Sequence, residues 1–168
     1  NLVKDRHAVR LLFHKFNSLS EKQRKERQNI LYKIIPNAGK NLFIEPPFHC
    51  DYGIHIKAGK NLFMNFNCCI LDVARVTIGD NCLFGPHVHI YTATHPLEFE
   101  ARNSGKELAK PVQIGNNAWI GGNATICPGV SLGNNVVVGS GAVVTKSFPD
   151  DVVIGGNPAK IIKTIDNS

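Results

Sequence analysis

The chain has 168 residues, of which 43% are hydrophobic and 19% charged, so it is one domain in length and too apolar for a disordered protein. No apolar run approaches the ~20 residues that cross a bilayer, which excludes a transmembrane helix. The net charge of +6 arises in residues 1–40, with ten Lys/Arg and three Asp/Glu, because residues 41–168 hold nine and ten. Without aromatic interleaving, this basic segment predicts neither a nucleic-acid partner nor a membrane partner.

Residues 1–38 show helical spacing. Val9, Leu12, Phe13 and Phe16 form one apolar stripe, and Ile30, Leu31, Ile34 and Ile35 form a second. Between them, Ser20 and Gln23 have the spacing of a capping box, and Pro36 ends the second helix. Each stripe has to be buried. We therefore expect residues 1–38 to be a helical cap over the domain or over a neighbouring subunit.

From about residue 41 the helical spacing gives way to a six-residue repeat. Aliphatic or aromatic side chains recur at Ile78, Phe84, Ile90, Ile114, Ile120, Ile126, Leu132, Val138 and Val144. A period of six fits a coil of triangular cross-section, with one short strand and one turn on each side. Three hexads, one for each side of the triangle, would complete a coil. Residues 39–168 are therefore predicted to be a mainly β domain built as a parallel β-helix, with a tail at 156–168 that runs back over its edge.

The repeat is interrupted over residues 91–113, a polar stretch that a regular solenoid does not need. Long excursions from a rigid scaffold are often functional. His95 stands at the start of this excursion, where Pro96 biases it to an extended backbone. A histidine in such a position is a candidate general base, although a structural role remains the alternative.

The five cysteines form no CxxC pair and are odd in number. They are Cys50, Cys68, Cys69, Cys82 and Cys127. This pattern favours reduced thiols over a disulfide framework, and we therefore expect a cytoplasmic protein. His87 and His89 give a weak indication of a metal site, but no cysteine or carboxylate follows at ligand spacing. We expect no metal.

The hexads and several short phrases resemble the maltose/galactoside O-acetyltransferases, a family of hexapeptide-repeat acyltransferases. The phrases are Ile-Glu-Pro-Pro-Phe (44–48), Asp-Tyr-Gly (51–53), Asn-Phe-Asn-Cys (65–68), Thr-Ala-Thr-His-Pro (92–96), Trp-Ile-Gly (119–121) and Gly-Asn-Pro-Ala-Lys (156–160). The wording is nearest to the maltose branch. The resemblance implies a left-handed β-helix, a homotrimer with active sites between subunits, and acetyl-CoA as co-substrate in a groove along the prism edge.

By the same resemblance, His95 is the general base that takes the proton of a sugar hydroxyl, whose oxygen then attacks the thioester without an acyl-enzyme. The acceptor side is expected to include Asp51, Asn65, Asp72, Glu107 and Trp119. Short carboxylate and amide side chains suit the dense hydroxyls of a sugar. The alternatives are a solenoid corner for Asn65, a solvated loop charge for Glu107 and plain packing for Trp119.

The donor side implied by the resemblance consists of Gly122, Ser140, Thr145, Lys146, Lys160 and Lys163. The Gly122 N–H would stabilise the oxyanion, and the lysines would meet the phosphates of CoA. For each lysine the alternative is a solvated face. Two alternative functions also stay open. One is the same transfer to another hydroxyl, on a lipo-oligosaccharide, an antibiotic or serine, and the other is a non-catalytic or metal-binding solenoid.

Overall fold

The computed structural model describes residues 2–167, and its chain begins with two helices. Helix α1 spans Leu2–Ser18, a single 3-10 turn follows at Glu21–Gln23, and helix α2 spans Arg24–Ile34. The Ser20 N–H donates to Gln23 Oε1 at 3.2 Å, as one half of a capping box does. No helix of the described residues is both long and apolar enough to cross a membrane.

The rest of the chain winds into a prism with three parallel sheets as faces. The first face consists of Asn37–Ala38, Ile56–Ala58, Val76–Ile78, Val112–Ile114 and Ser131–Leu132. The second consists of Phe43–Ile44, Phe63–Met64, Leu83–Phe84, Trp119–Ile120, Val137–Val138 and Val152–Gly156. The third consists of Phe48–Cys50, Cys68–Leu71, His89–Tyr91, Thr125–Ile126 and Val143–Val144.

The hexad residues stack inside this prism, one coil above the next. On the second face, for example, Met64 pairs with Phe84, Phe84 with Ile120 and Ile120 with Val138, and all four are at most 1% exposed. The side chains that alternate with them point outward. The predicted fold class is confirmed: the molecule is mainly β, and the solenoid is a left-handed parallel β-helix.

The coils at the N-terminal end of the solenoid, which we call the lower coils, are longer than the expected three hexads. Ala58 is the stacked partner of both Ala38 and Ile78, so these coils are longer than three hexads. The extra residues lie where the third face turns into the first. We call this edge the loop corner; it comprises residues 51–55, 72–75 and 92–111. The same edge therefore carries both the lengthened turns and the long excursion.

The excursion has internal structure. Ala93–Thr94 pairs antiparallel with Leu108–Ala109, and helix α3 (Phe99–Asn103) lies between them. The Arg102 guanidinium donates to the carbonyl oxygens of Pro96 and Leu97, at 3.2 and 2.9 Å. At the other end of the chain, Ala159–Thr164 pairs antiparallel with Val152–Gly156 and so extends the second face.

The helices close the bottom of the solenoid. The Asn17 amide exchanges hydrogen bonds with both the N–H and the C=O of Phe48, at 2.8 and 3.0 Å. Gln28 Nε2 donates to the Leu42 carbonyl at 2.6 Å. Apolar side chains of both helices join one continuous core with the β-helix. The domain boundary that the sequence suggests near residue 38 stays a prediction.

Candidate active site

His95 lies exposed near the base of the excursion, with one ring nitrogen engaged. Its Nδ1 is 3.3 Å from the carbonyl oxygen of Lys106, which lies just before the returning strand Leu108–Ala109. Because a carbonyl can only accept, this contact requires a proton on Nδ1, and in the neutral imidazole the lone pair is then on Nε2. The ring is thus arranged to take a proton at Nε2.

Asp51 and Glu107 come together beside helix α1. A groove of about 470 Å³ is lined by Val3, Arg6, His7, Arg10, Tyr52 and Glu107, and we call it the helix groove. Arg6 Nη2 donates to the Tyr52 hydroxyl at 2.7 Å, and its guanidinium carbon lies 5.0 Å from the centre of the Tyr52 ring. Arg6 Nε is 3.9 Å from Asp51 Oδ1. Two of the predicted acceptor residues therefore share one surface with three basic side chains.

Burial and the charged neighbours together affect the pKa of the Asp51 carboxyl. Partial burial raises its pKa above 3.8, since the charged form loses hydration, and the negative charge of Glu107 acts in the same direction. Arg6 and Arg10 oppose the rise. Glu107 and Asp51 are thus close enough for the charge of Glu107 to affect the pKa of Asp51, and a role of Glu107 in acceptor binding stays a prediction.

Asp72 is placed differently from the other predicted acceptor residues, because its side chain is 0% exposed. Its Oδ1 accepts from the backbone N–H groups of Asp51 and Tyr52, at 3.0 and 2.9 Å. Its Oδ2 is buried without a hydrogen-bond partner in the described chain. Asp72 therefore offers no exposed atom to an acceptor. The structure gives it a positioning role: it holds the backbone from which the Asp51 side chain projects.

Two substitutions of Asp72 should separate hydrogen bonding from charge. Asp72→Ala removes the acceptor of two backbone N–H groups, and we expect it to lower the free energy of unfolding by about 2–5 kcal/mol. Asp72→Asn keeps an acceptor oxygen and should cost less. Burial raises the Asp72 pKa above 3.8, so the folded wild type binds more protons than the unfolded chain in the window just above that value.

Wild-type stability should therefore fall as pH rises from 3.8 to the raised pKa, and the Asn variant should lack this fall. Urea denaturation of both proteins across the acidic range measures the difference. Parallel curves for wild type and Asp72→Asn would contradict a raised pKa at this carboxyl.

Trp119, predicted on the acceptor side, and the predicted donor-side residues occupy other parts of the prism. Trp119, 58% exposed, and Lys163 line one groove of about 530 Å³ on the second face, together with Val137 and Val153. Gly122 and Ser140 lie at the corner between the second and third faces, where a Cβ on Gly121 would approach the Ser140 nitrogen to 2.6 Å. The Gly122 N–H makes no hydrogen bond within the described chain, so it is free to donate.

The remaining predicted residues are dispersed. Thr145 and Lys146 follow the last strand of the third face, and Lys160 lies on the C-terminal strand; all three are exposed. Asn65 is half-buried at the corner between the second and third faces, where its Oδ1 accepts from the Phe66 N–H at 2.8 Å. Within one chain, the structure therefore groups His95, Asp51 and Glu107 at the loop corner and places Asn65, Trp119 and the donor residues elsewhere.

Asn65 differs from the other corner asparagines. Several of these adopt a positive φ, Asn67 at 61° among them, whereas Asn65 does not. Turn conformation therefore does not account for an asparagine at position 65. His87 occupies a left-handed corner position, with φ of 57°. Among residues 2–167, no group of three or more His, Cys, Asp and Glu side chains is placed to hold a metal ion.

Sequence reasoning missed Arg6, Arg10 and Tyr52. Arg6 and Arg10 fall four positions apart and so share one side of α1. That spacing could have marked a cationic stripe, but nothing local shows that the stripe faces Tyr52 and the excursion.

Comparison with known proteins identifies this architecture. The "Bacterial transferase hexapeptide (six repeats)" family model matches residues 111–146, and the "Maltose acetyltransferase hexapeptide capping motif" matches residues 1–39. Galactoside O-acetyltransferase of Escherichia coli K12 is 38% identical over 156 residues, which cover 93% of this chain and 77% of that protein. This chain belongs to the maltose/galactoside O-acetyltransferase family of hexapeptide-repeat acetyltransferases.

Solved structures agree with the assignment. A maltose O-acetyltransferase from Clostridium difficile 630 superposes with a TM-score of 0.97 at 44% identity, covering 99% of this chain and 89% of that one. A galactoside acetyltransferase in complex with coenzyme A also gives 0.97, at 37% identity and with 99% and 83% coverage. The resemblance stated from the sequence is confirmed, and the chain is an acetyltransferase of this type.

Proposed function

We propose that this acetyltransferase moves the acetyl group of acetyl-CoA to a hydroxyl of a sugar, namely glucose, maltose or a related glycoside. The observation that carries the proposal is the His95 ring, which is held through Nδ1 by the Lys106 carbonyl and leaves Nε2 as a base. Asp51 and Glu107, at the same corner, supply oxygens of the kind that bind sugar hydroxyls. The coenzyme A complex of a related enzyme supports the choice of co-substrate.

In the proposed reaction, Nε2 of His95 takes the hydroxyl proton while the sugar oxygen attacks the thioester carbonyl carbon. The Gly122 N–H donates to the oxyanion that forms. The C–S bond then breaks, and the proton passes from His95 to the departing sulfur. No acyl-enzyme is formed. Lys146, Lys160 and Lys163 would meet the phosphates of CoA as point charges.

The proposal includes a homotrimer with active sites between subunits. His95 lies at the loop corner, whereas Trp119 lies on the second face and Gly122 at the corner between the second and third faces. A site that uses both sets therefore needs a second copy of the chain. An apolar ladder on the outside of the second face would suit such contact; it consists of Phe43, Phe63, Leu83, Trp119, Val137 and Val153.

We also propose that the protein is cytoplasmic. All five cysteines are free thiols, as is usual for proteins of a reducing compartment.

Thiol release from acetyl-CoA tests the proposal. We expect release with glucose or maltose, less with a thiogalactoside, and little with serine or chloramphenicol. Release that requires serine or chloramphenicol would replace the sugar with another hydroxyl acceptor. A protein that binds zinc and releases no thiol with any acceptor would favour a metal-binding solenoid and overturn the proposal.

A further inference from the structure

A second groove lies at the loop corner, on the side of the first face. It has a volume of about 680 Å³ and is lined by Asn37, Ile54, His55, Lys57, Val73 and Arg75. We call it the corner groove. The mechanism proposed above uses none of these six side chains. Three of the six are basic and none is acidic, although residues 41–168 as a whole hold nine Lys/Arg and ten Asp/Glu. The groove lining is therefore basic, whereas residues 41–168 as a whole are close to neutral.

The β-helix brings the three basic residues together. Ile56 pairs with Val76, and the Val76 N–H donates to the His55 carbonyl at 3.0 Å, so His55 and Arg75 stand on neighbouring rungs about 4.8 Å apart. Lys57 follows two residues after His55 on the same outward side of its strand. In the described chain, the side chains of Lys57 and Arg75 form no ion pair with a carboxylate. The positive charges of Lys57 and Arg75 are therefore not neutralised by an ion pair within the described chain.

His55 is also fixed in orientation. Its Nδ1 lies 2.7 Å from the carbonyl oxygen of Asp72 and must donate to it, which leaves Nε2 as the second polar atom of the ring. The Asp72 carboxyl meanwhile holds the N–H groups of Asp51 and Tyr52. One buried residue thus ties the corner groove to the segment that carries Asp51.

The groove is also joined to the excursion that bears His95. The Val112 N–H, where the excursion ends, donates to the Arg75 carbonyl at 3.0 Å, and the Ala74 N–H donates to Thr92 Oγ1 at 2.9 Å where it begins. The volume falls in the range of roughly 300–1,000 Å³ that takes a small organic molecule. It is thus much larger than a bare phosphate ion requires.

We propose that the corner groove binds the oxyanion group, a phosphate or a carboxylate, of a negatively charged acceptor saccharide. Arg75 and Lys57 donate to the oxyanion, and His55 and Asn37 complete the polar lining. This inference rests on the proposed function and narrows its substrate class from sugars in general to sugars that carry an acidic substituent.

Acceptor preference tests the inference. The probes are α-glucose 1-phosphate and glucuronate, which between them leave every glucose hydroxyl available, and the neutral reference is glucose. Charge-assisted hydrogen bonds contribute about 1.5–3 kcal/mol, and 1.4 kcal/mol corresponds to tenfold. We expect kcat/KM for at least one charged probe to exceed that for glucose by roughly ten- to a hundredfold.

In Arg75→Ala this ratio should fall at least ~10-fold, and further in the double variant with Lys57→Ala. The matched control is Lys60→Ala, an exposed lysine of the same coil beyond the first face, which should keep the wild-type ratio. A ratio near one in wild type, or one that Arg75→Ala leaves unchanged, overturns the inference.

Inorganic phosphate distinguishes the two sources of an oxyanion. If the groove serves the acceptor, phosphate should compete with α-glucose 1-phosphate and leave the acetylation of glucose unaffected. If phosphate instead changes the rate with glucose, and Arg75→Ala removes that change, the groove binds a free anion and the acceptor assignment is wrong. Should no acceptor support thiol release, the proposed function fails separately. Calorimetric binding of α-glucose 1-phosphate, compared between wild type and Arg75→Ala, then still decides whether the groove binds an anionic sugar.

Discussion

Replacing His95 by alanine is expected to lower kcat by about 10²- to 10⁴-fold, the range that a positioned general base contributes. The reason lies in the role that we propose for the ring: with the proton of the neutral imidazole on Nδ1, 3.3 Å from the Lys106 carbonyl, Nε2 would accept the proton of the attacking hydroxyl. Alanine removes the base and leaves the β-helix untouched, because His95 is exposed on the excursion. Steady-state thiol release with saturating acetyl-CoA measures the effect.

Binding provides the control for this variant. Trp119 is the sole tryptophan of the chain and is 58% exposed in the groove that also contains Lys163. We expect acetyl-CoA to change its fluorescence equally in wild type and in His95→Ala. His95→Gln tests proton transfer more strictly, since an amide can form hydrogen bonds but cannot take the proton. A loss of less than about 10²-fold in both variants would show that His95 is not the base.

The solenoid was predictable because its signal is local and repeated. Every residue that the period of six singles out, from Ile78 to Val144, is buried on a face of the prism. Burial against the equivalent residue one coil away requires an apolar side chain at that position, whatever the rest of the chain does. The spacing alone therefore predicts the fold.

The lower coils show the limit of this reasoning. Their turns at the loop corner are longer than a hexad allows, although Ala38, Ala58 and Ile78 still stack on one another. Counting in steps of six residues therefore no longer identifies the buried positions across these turns. The lengthened turns are those that bear Asp51, His55 and Asp72, which means that the chemistry of the corner lies where the repeat is least regular.

The helix groove could not be predicted from the sequence. Arg6 meets Tyr52 across 46 positions of the chain, and this approach depends on how α1 docks on the first coil. The docking is determined in part by the Asn17 amide on the Phe48 backbone, a long-range contact with no sequence signature. By contrast, His95 was found because the resemblance and the position before Pro96 both point to it; its base role stays a proposal.

The burial of the Asp72 carboxyl was not predictable for a different reason. A short acidic side chain in a family of sugar-modifying enzymes suggests a contact to a hydroxyl. Whether that side chain points out of or into the prism depends on the alternation along the strand. Ile70 is buried, Leu71 is on the outward side, and Asp72 is again on the inward side. A shift of one residue along a strand therefore decides whether a side chain is accessible to a ligand or buried.

Gly53→Ala is a second substitution from which we expect a large loss of stability. Gly53 has φ of +73°, and a Cβ placed there would lie 2.0 Å from the carbonyl oxygen of Ile34 at the end of α2. The left-handed conformation costs alanine about 1–2 kcal/mol. Displacing a rigid backbone oxygen adds about 1–3 kcal/mol or more. We therefore expect a total loss of about 2–5 kcal/mol, measured by urea denaturation at one fixed protein concentration.

Gly141→Ala separates the two contributions, because Gly141 has the same φ of +73° and a Cβ placed there would meet nothing within 4 Å. It should show only the conformational cost, about 1–2 kcal/mol. The difference between the two variants then measures how tightly α2 is seated against the loop corner. Since residue 53 lies between Asp51 and His55, loosening it should also weaken acceptor binding, which appears as a raised acceptor KM in Gly53→Ala alone. Equal losses of stability in the two variants would mean that the end of α2 moves away from the new Cβ at no cost in free energy. The helices would then not hold the loop corner in place.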